Sequence, residues 1–156
     1  MDRIGLGYLD RLNIEFEEVF WDDESDWMFY LNTKEEGVWA TIFNYHKASK
    51  RPILMVFNSD EQAKKYAHKT DQECVDTCLE ALQNMYPDKK IKMKQYQRSN
   101  WSQEQFIQFS IPCISKGMLK EDCETSRKPV DDKLFFAGDY CFFSIIGAAH
   151  GAYISS

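Results

Sequence analysis

A short apolar run near the end of the chain is followed at once by a glycine and an acidic residue. The run spans residues 134–137, and Gly138 and Asp139 follow it. Its apolar residues do not alternate with polar ones, which predicts a strand covered on both faces, as in a parallel sheet. Gly138 allows a sharp turn or a close approach to a ligand. Asp139 then places an acceptor at the carboxyl end of the predicted strand, where open α/β sheets bind ligands.

A glycine-rich segment, GAAHGAY at residues 147–153, predicts the start of a helix. The small residues Ala148 and Ala149 at its entry leave room for the unpaired N–H groups of a helix N-terminus to approach an electron-rich ligand. The two segments together predict a strand, a turn and a helix that border a ligand site.

The composition of the chain argues against several classes of protein. The net charge of −6 makes nucleic acid an unexpected partner and mildly favours a cationic one. The first residues, MDRI, lack the apolar core of a signal peptide, and no apolar stretch is long enough to span a membrane. The five cysteines form no C-x-x-C pair, which argues against a disulfide scaffold or a metal site. We expect an intracellular protein with no membrane span, no metal and no nucleic-acid partner.

Alternation in the first third of the chain predicts a sheet. Leu12, Ile14 and Phe16 alternate with polar residues, which is typical of a half-buried strand. The other predictions in this part of the chain are a turn at residues 5–8, a hairpin of strands at 27–31 and 38–43, and a buried strand at 53–57.

Two capping-box patterns predict helices in the middle of the chain. One begins at Ser59, and the other begins at Thr70 and precedes apolar residues at helical spacing that end at Pro87. Residues 91–98 predict an edge strand that directs its lysines, and Arg98 with them, outward. Residues 116–133 are polar and predict a loop.

Three motifs occur in the order found in one known family. They are GLGYLDRL with VFW near the start, W-x-x-E-x-F-x-x-x-S from Trp101, and FFAGD with HGAYIS near the end. In these features the chain resembles the flavin-containing amine oxidases, which include polyamine oxidases, monoamine oxidases and lysine-specific histone demethylases. Phe109 and Ile111 depart from the glycine and the aromatic residue of the family's middle motif.

The resemblance implies an α+β fold in three parts. Residues 1–115 correspond to part of the substrate-binding domain, with a mixed β-sheet and flanking helices. Residues 116–130 are a loop. Residues 131–156 correspond to the last strand–helix element of a Rossmann-type FAD domain. The G-x-G-x-x-G fingerprint that binds the pyrophosphate of FAD does not occur in these residues.

The resemblance also implies a chemistry and a set of site residues. In this family FAD takes a hydride from the carbon beside an amine, and oxygen reoxidises the flavin; the protein positions and tunes the cofactor. Asp139 matches the acidic residue that contacts the ribityl–phosphate region, next to Gly138. Ala148 and Ala149 match the helix entry whose backbone approaches the isoalloxazine. Trp101 is a further candidate cofactor contact, and core packing is its alternative.

Arg11 stands at the position of the family's lysine, which holds a water at the reactive nitrogen of the flavin. Arginine keeps the positive charge, but it is planar, bulkier and does not readily lose its proton. The alternative interpretation is an exposed strand arginine without a catalytic role.

The sequence leaves two functions open. The first is the C-terminal part of a flavin-dependent amine oxidase, inactive as this chain alone, with an amine substrate when the enzyme is complete. The second is a non-catalytic structural or interaction subunit that retains the fold. In both cases the expected partner is a larger assembly or the missing N-terminal half.

Overall fold

The computed structural model describes residues 3–156, which form two compact units. The sheet unit comprises Tyr8–Gln108, and the terminal unit comprises residues 3–7 with Phe109–Ser156. The strands are β1 (Ile4–Gly7), β2 (Leu9–Phe16), β3 (Trp27–Phe29), β4 (Thr41–Asn44), β5 (Ile53–Ser59), β6 (Met93–Ser99) and β7 (Ile111–Ile114). The helices are α1 (His46–Ser49), α2 (Asp60–Ala67), α3 (Asp71–Met85), α4 (Lys120–Ser126) and α5 (Ala149–Ser155). The predicted α+β class is confirmed.

The sheet unit is built on five strands in the order β3-β4-β5-β2-β6. Every pairing among them is antiparallel, so the predicted mixed sheet is wrong for the residues described. The connection through α2 and α3 carries the chain from β5 past β2, and β6 therefore joins the far side of β2 instead of lying parallel beside β5. The predicted hairpin is confirmed, with Trp27 opposite Phe43 and Phe29 opposite Thr41.

The core of this unit follows from the alternation along β2. Leu12, Ile14 and Phe16 are almost fully buried, as predicted. They pack with Leu54 and Val56 of β5 in one cluster that also includes apolar residues of α3. Burying each large aliphatic side chain contributes about 1.5–3 kcal/mol. The opposite face of β2 is therefore free to carry polar side chains.

The two predicted capping boxes have different outcomes. Thr70 accepts a hydrogen bond from the Glu73 amide, and Glu73 accepts one from the Thr70 amide, so the box at the start of α3 is confirmed. Ser59 precedes α2 as predicted, but its side chain makes no capping bond. Tyr86 ends α3 one residue before Pro87.

Strand β6 lies at the edge of the sheet, as predicted, but the Arg98 side chain points toward the core instead of outward. The Lys94 side chain is 62% exposed, whereas only 2% of the Arg98 side chain is exposed. The prediction that Arg98 faces outward is wrong because Arg98 lies opposite Leu12, on the core face of the sheet.

In the terminal unit β1 pairs with β7, from Ile4 opposite Ile114 to Gly7 opposite Ile111. The turn predicted at residues 5–8 is therefore wrong: Gly5 and Gly7 lie in a strand. A Cβ at Gly5 would lie 2.6 Å from Cys113 Sγ, so the glycine is needed for the close approach of the two strands and not for a turn.

The buried strand predicted at residues 134–137 does not form. Leu134 makes one antiparallel bridge with Val130, and the three residues after it have no regular structure. Leu134 is 53% exposed and Phe135 is 70% exposed. A strand needs a neighbouring strand for its backbone hydrogen bonds. Among residues 3–156, Val130 is the only bridge partner of this run. Leu134 and Phe135 therefore lie uncovered in the terminal unit, whereas Phe136 is partly buried.

Two helices complete the terminal unit. Helix α4 lies within residues 116–133, so the loop predicted there is wrong over Lys120–Ser126. The helix predicted at the glycine-rich segment is confirmed: α5 begins at Ala149, with Ala148 as its N-cap residue. Among residues 3–156, no helix has both the length and the apolar character needed to cross a bilayer.

Candidate functional site

The face of β2 opposite the core carries Arg11, Asn13 and Glu15. Arg11 pairs with Ser99 of β6 and with Phe57 of β5, and these residues share its face of the sheet. Because side chains alternate along a strand, the burial of Leu12 and Ile14 requires Arg11 and Asn13 to lie on this opposite face. The position of Arg11 on this face thus follows directly from the hydrophobic pattern of the strand.

Arg11 and Trp101 line the same cleft, which has a volume of about 180 Å³. Trp101 begins a short 3-10 turn directly after β6, and its side chain is 45% exposed. Within residues 3–156, the Arg11 guanidinium donates to no hydrogen-bond acceptor and forms no ion pair. The cleft, called here the Arg11–Trp101 cleft, is lined by Arg11, Asn13, Gln97, Arg98, Ser99, Asn100, Trp101 and Glu104.

A buried ion pair lies under one end of this cleft, on the core face of the sheet. Arg98 Nε donates to Asp10 Oδ2 over 3.0 Å, and the two side chains are 2% and 6% exposed. The Arg11 amide donates to Asp10 Oδ1 over 3.1 Å and to Ser99 Oγ over 3.0 Å. Burial raises the pKa of the Asp10 carboxyl above its ordinary value, although Arg98 and the Arg11 amide act to lower this pKa.

A second cleft of about 200 Å³ adjoins the first and shares Asn13 and Gln97 with it. At this cleft Glu15 accepts hydrogen bonds from Arg51, Lys94 and Gln95. The bond from Arg51 is the largest of the effects that hold the pKa of Glu15 below its ordinary value. Asn13 Oδ1 is buried and has no hydrogen-bond partner among the described residues. The Glu15 carboxylate is therefore saturated, whereas Asn13 keeps a free acceptor between the two clefts.

The terminal unit brings the other four predicted site residues together. Gly147 N donates to the Asp139 carbonyl over 3.0 Å, which places Asp139 beside the entry to α5 at Ala148 and Ala149. Gly138 N donates to Ser155 Oγ over 2.8 Å, near the end of the same helix. A Cβ at Gly138 would lie 2.5 Å from the Tyr140 ring, so a side chain at this position would displace that ring.

Comparison with known proteins shows which family the chain belongs to. The family described as flavin containing amine oxidoreductase matches residues 1–156. The chain belongs to this family. The resemblance inferred from the three sequence motifs is thereby confirmed.

Relatives in this amine oxidoreductase family are several times longer than the chain. It is 24% identical over 160 residues to lysine-specific histone demethylase 1 homolog 1 of Oryza sativa subsp. japonica, covering 99% of the chain and 19% of the relative. It is 29% identical over 152 residues to polyamine oxidase 2 of Arabidopsis thaliana, covering 96% of the chain and 30% of the relative. A putrescine oxidase structure with bound putrescine matches with a TM-score of 0.76 and 22% identity, over 99% of the chain and 34% of that protein. This structural match shows a shared fold.

The family implies a bound flavin, and the terminal unit fits one side of such a group. Ala148 and Ala149 carry no side chain beyond Cβ, and the Asp139 carboxylate has no hydrogen-bond partner within residues 3–156. The sequence contains no G-x-G-x-x-G phosphate loop. The residues present therefore fit one wall of a flavin site and do not fit the cradle that holds its pyrophosphate.

Asp10, Ser99 and Asn13 lie at the site, but the sequence motifs do not point to them. A signal for the ion pair exists, because Asp10 is in phase with Leu12 and Ile14 and must face the core. An acidic side chain there needs a buried cation, and Arg98 lies on the neighbouring strand. Asn13 gives no such signal, since its role depends on which neighbours reach its side chain.

Proposed function

We propose that this chain is the C-terminal part of a flavin-dependent amine oxidase. In this proposal the sheet unit is part of the substrate-binding domain, and residues 131–156 belong to the edge of the FAD domain. Family membership over the whole chain supports the proposal, as does the limited share of each relative that the chain spans. Catalysis would require the N-terminal portion, because the phosphate-binding fingerprint is absent from these residues.

The observation that carries the proposal is the free guanidinium of Arg11 in a cleft shared with Trp101. A cation at this position can donate a hydrogen bond to a water held in the cleft, and Asn13 Oδ1 can accept one. The indole of Trp101 provides an apolar wall. When bound, the flavin would supply the oxidation of the amine; Gly138, Asp139, Ala148 and Ala149 are the residues of this chain proposed to border it.

A non-catalytic structural subunit is the second candidate function. It is favoured by Arg11 in place of the family's lysine and by Ile111 in place of an aromatic residue. Ile111 is the first residue of β7 and is partly buried opposite Gly7. In this case the chain would stabilise a larger assembly through its fold alone.

A chimera tests the proposal. Residues 3–156 would replace the matching C-terminal part of a polyamine oxidase, and anaerobic flavin reduction by an amine would be followed by absorbance. We expect Arg11→Lys to raise the rate of flavin reduction, because lysine is a compact point donor without the planar bulk of arginine. Arg127→Lys, the same exchange at the end of α4, should leave the rate unchanged.

The second candidate function predicts a different result. If Arg11 has no role at the cofactor, Arg11→Lys and Arg127→Lys will leave the rate equally unaffected. A lower rate with Arg11→Lys would likewise contradict the assignment of Arg11 to the position of the family's lysine.

A further inference from the structure

Both oxygens of the Asp10 carboxylate are needed as acceptors. Oδ2 accepts from Arg98 Nε over 3.0 Å, and Oδ1 accepts from the Arg11 amide over 3.1 Å and from the Ser99 hydroxyl over 3.4 Å. An amide group of the same shape has one acceptor oxygen and one NH2 group. In either orientation, Asn at this position would therefore direct N–H groups at another donor.

Arg98 connects the same carboxylate to the corner between α2 and α3. Its Nη2 donates to the Tyr66 carbonyl over 2.7 Å, and its Nη1 donates to the Lys69 carbonyl over 2.9 Å. Asn100 Nδ2 donates to the Ala67 carbonyl over 2.9 Å. These bonds hold the carbonyl end of α2, where a cation is favourable. They also fix the end of β6, directly before the turn that begins at Trp101.

We propose that Asp10 and Arg98 are positioning residues that fix the Arg11 backbone and the Trp101 turn on the Arg11–Trp101 cleft. Neither the Asp10 carboxylate nor the Arg98 guanidinium has to touch a ligand for this role, because each acts through the backbone and the side chains that it contacts. Asp10 faces the core while Arg11, the next residue, faces the cleft. The Asp10 side chain can therefore hold the backbone from which the Arg11 side chain extends into the cleft. The inference rests on the proposed function only in treating this cleft as the functional site.

Two readouts on the full chain test this role. Hydrogen exchange compares the exchange rate of the Arg11 backbone amide with the rates of the core amides of Ile14 and Leu54. Fluorine NMR of the chain labelled with 5-fluorotryptophan gives a chemical shift for each of the four tryptophans, which reports the surroundings of its indole ring. The variant Trp101→Phe identifies the Trp101 resonance. In Asp10→Asn we expect the Arg11 amide to exchange about tenfold faster relative to the core amides, the scale of one lost hydrogen bond. We also expect the Trp101 resonance to shift while that of buried Trp39 stays in place.

The matched control is Glu15→Gln, which makes the same exchange on the same strand. The Glu15 side chain is also 6% exposed and accepts from Arg51, but it does not contact the Arg11 amide. Glu15→Gln should leave the relative protection of Arg11 and the Trp101 resonance unchanged. Equal acceleration of Arg11, Ile14 and Leu54 in Asp10→Asn would overturn the proposal, because a purely structural pair affects all three.

If Asp10→Asn does not fold, Arg98→Lys provides the test. Lysine keeps the positive charge beside Asp10, but its single ammonium group cannot reach Asp10 and the Tyr66 and Lys69 carbonyls as the guanidinium does. We expect the Trp101 resonance to shift while that of Trp39 stays in place, and an unshifted Trp101 resonance would overturn the proposal. A negative result in these tests would not contradict the amine oxidase proposal. An inactive chimera would not contradict the positioning role of Asp10 and Arg98.

Discussion

Replacing Arg98 by methionine is expected to lower the free energy of unfolding by about 3–5 kcal/mol, because the change leaves the Asp10 carboxylate buried without its charged partner. Urea denaturation followed by circular dichroism measures the effect. Replacing both residues, by Arg98→Met with Asp10→Leu, should recover much of the loss, since no buried charge remains. Lys34→Met is the control: the Lys34 side chain is 75% exposed in its ion pair with Glu80, and its loss should cost less than about 1 kcal/mol.

The loss in Arg98→Met should depend on pH. Burial raises the pKa of Asp10 in the native protein, and removing Arg98 removes an effect that lowers it. The folded variant then holds the Asp10 proton more tightly than the unfolded chain does. Its stability is therefore retained at acid pH and lost as the pH rises through the folded pKa. A deficit that is equal at acid and neutral pH would contradict this explanation.

The isolated chain is expected to self-associate through the uncovered apolar run at residues 134–137. Leu134 and Phe135 are more than half exposed, and burying a side chain of this size contributes about 1.5–3 kcal/mol. In sedimentation experiments the wild-type chain should have a mass above its 18.4 kDa. The double variant Leu134→Ser/Phe135→Ser should sediment as the monomer.

A matched pair of exposed residues in the sheet unit controls for general hydrophobicity. Phe29 is 74% exposed and Leu31 is 82% exposed. Phe29→Ser/Leu31→Ser should associate like the wild type. A monomeric wild type, or equal dissociation in both double variants, would contradict the role given to residues 134–137.

The sequence predicts those features of the sheet unit that depend only on residues close together in the chain. Alternation along β2 predicts which of Leu12 and Arg11 faces the core, because side chains of a strand alternate strictly. The Thr70 capping box is likewise local, since both of its partners lie within four residues. The position of β6 beside β2 could not be predicted, because strand order depends on where α2 and α3 carry the chain.

Predictions that depend on distant partners fail for a common reason. The run at residues 134–137 has the composition of a buried strand, but a strand forms only where other strands pair with it. Strict alternation with Lys92 and Lys94 predicts an outward Arg98, but its side chain is buried. Its burial depends on Asp10, which lies 88 positions earlier in the sequence. The candidate site residues were predicted from motifs, whereas the hydrogen bonds that hold them required the structure.

Flavin binding shows whether this chain holds FAD alone or only as part of a larger protein. The purified chain and the polyamine oxidase chimera would each be incubated with FAD, freed of excess cofactor and measured by flavin absorbance. We expect a colourless chain and a chimera with one FAD per molecule, because in the proposed function this chain borders one side of the flavin while the N-terminal portion of the polyamine oxidase would supply the pyrophosphate cradle. A stoichiometric yellow complex of the chain alone would contradict the proposal that a separate portion holds the pyrophosphate.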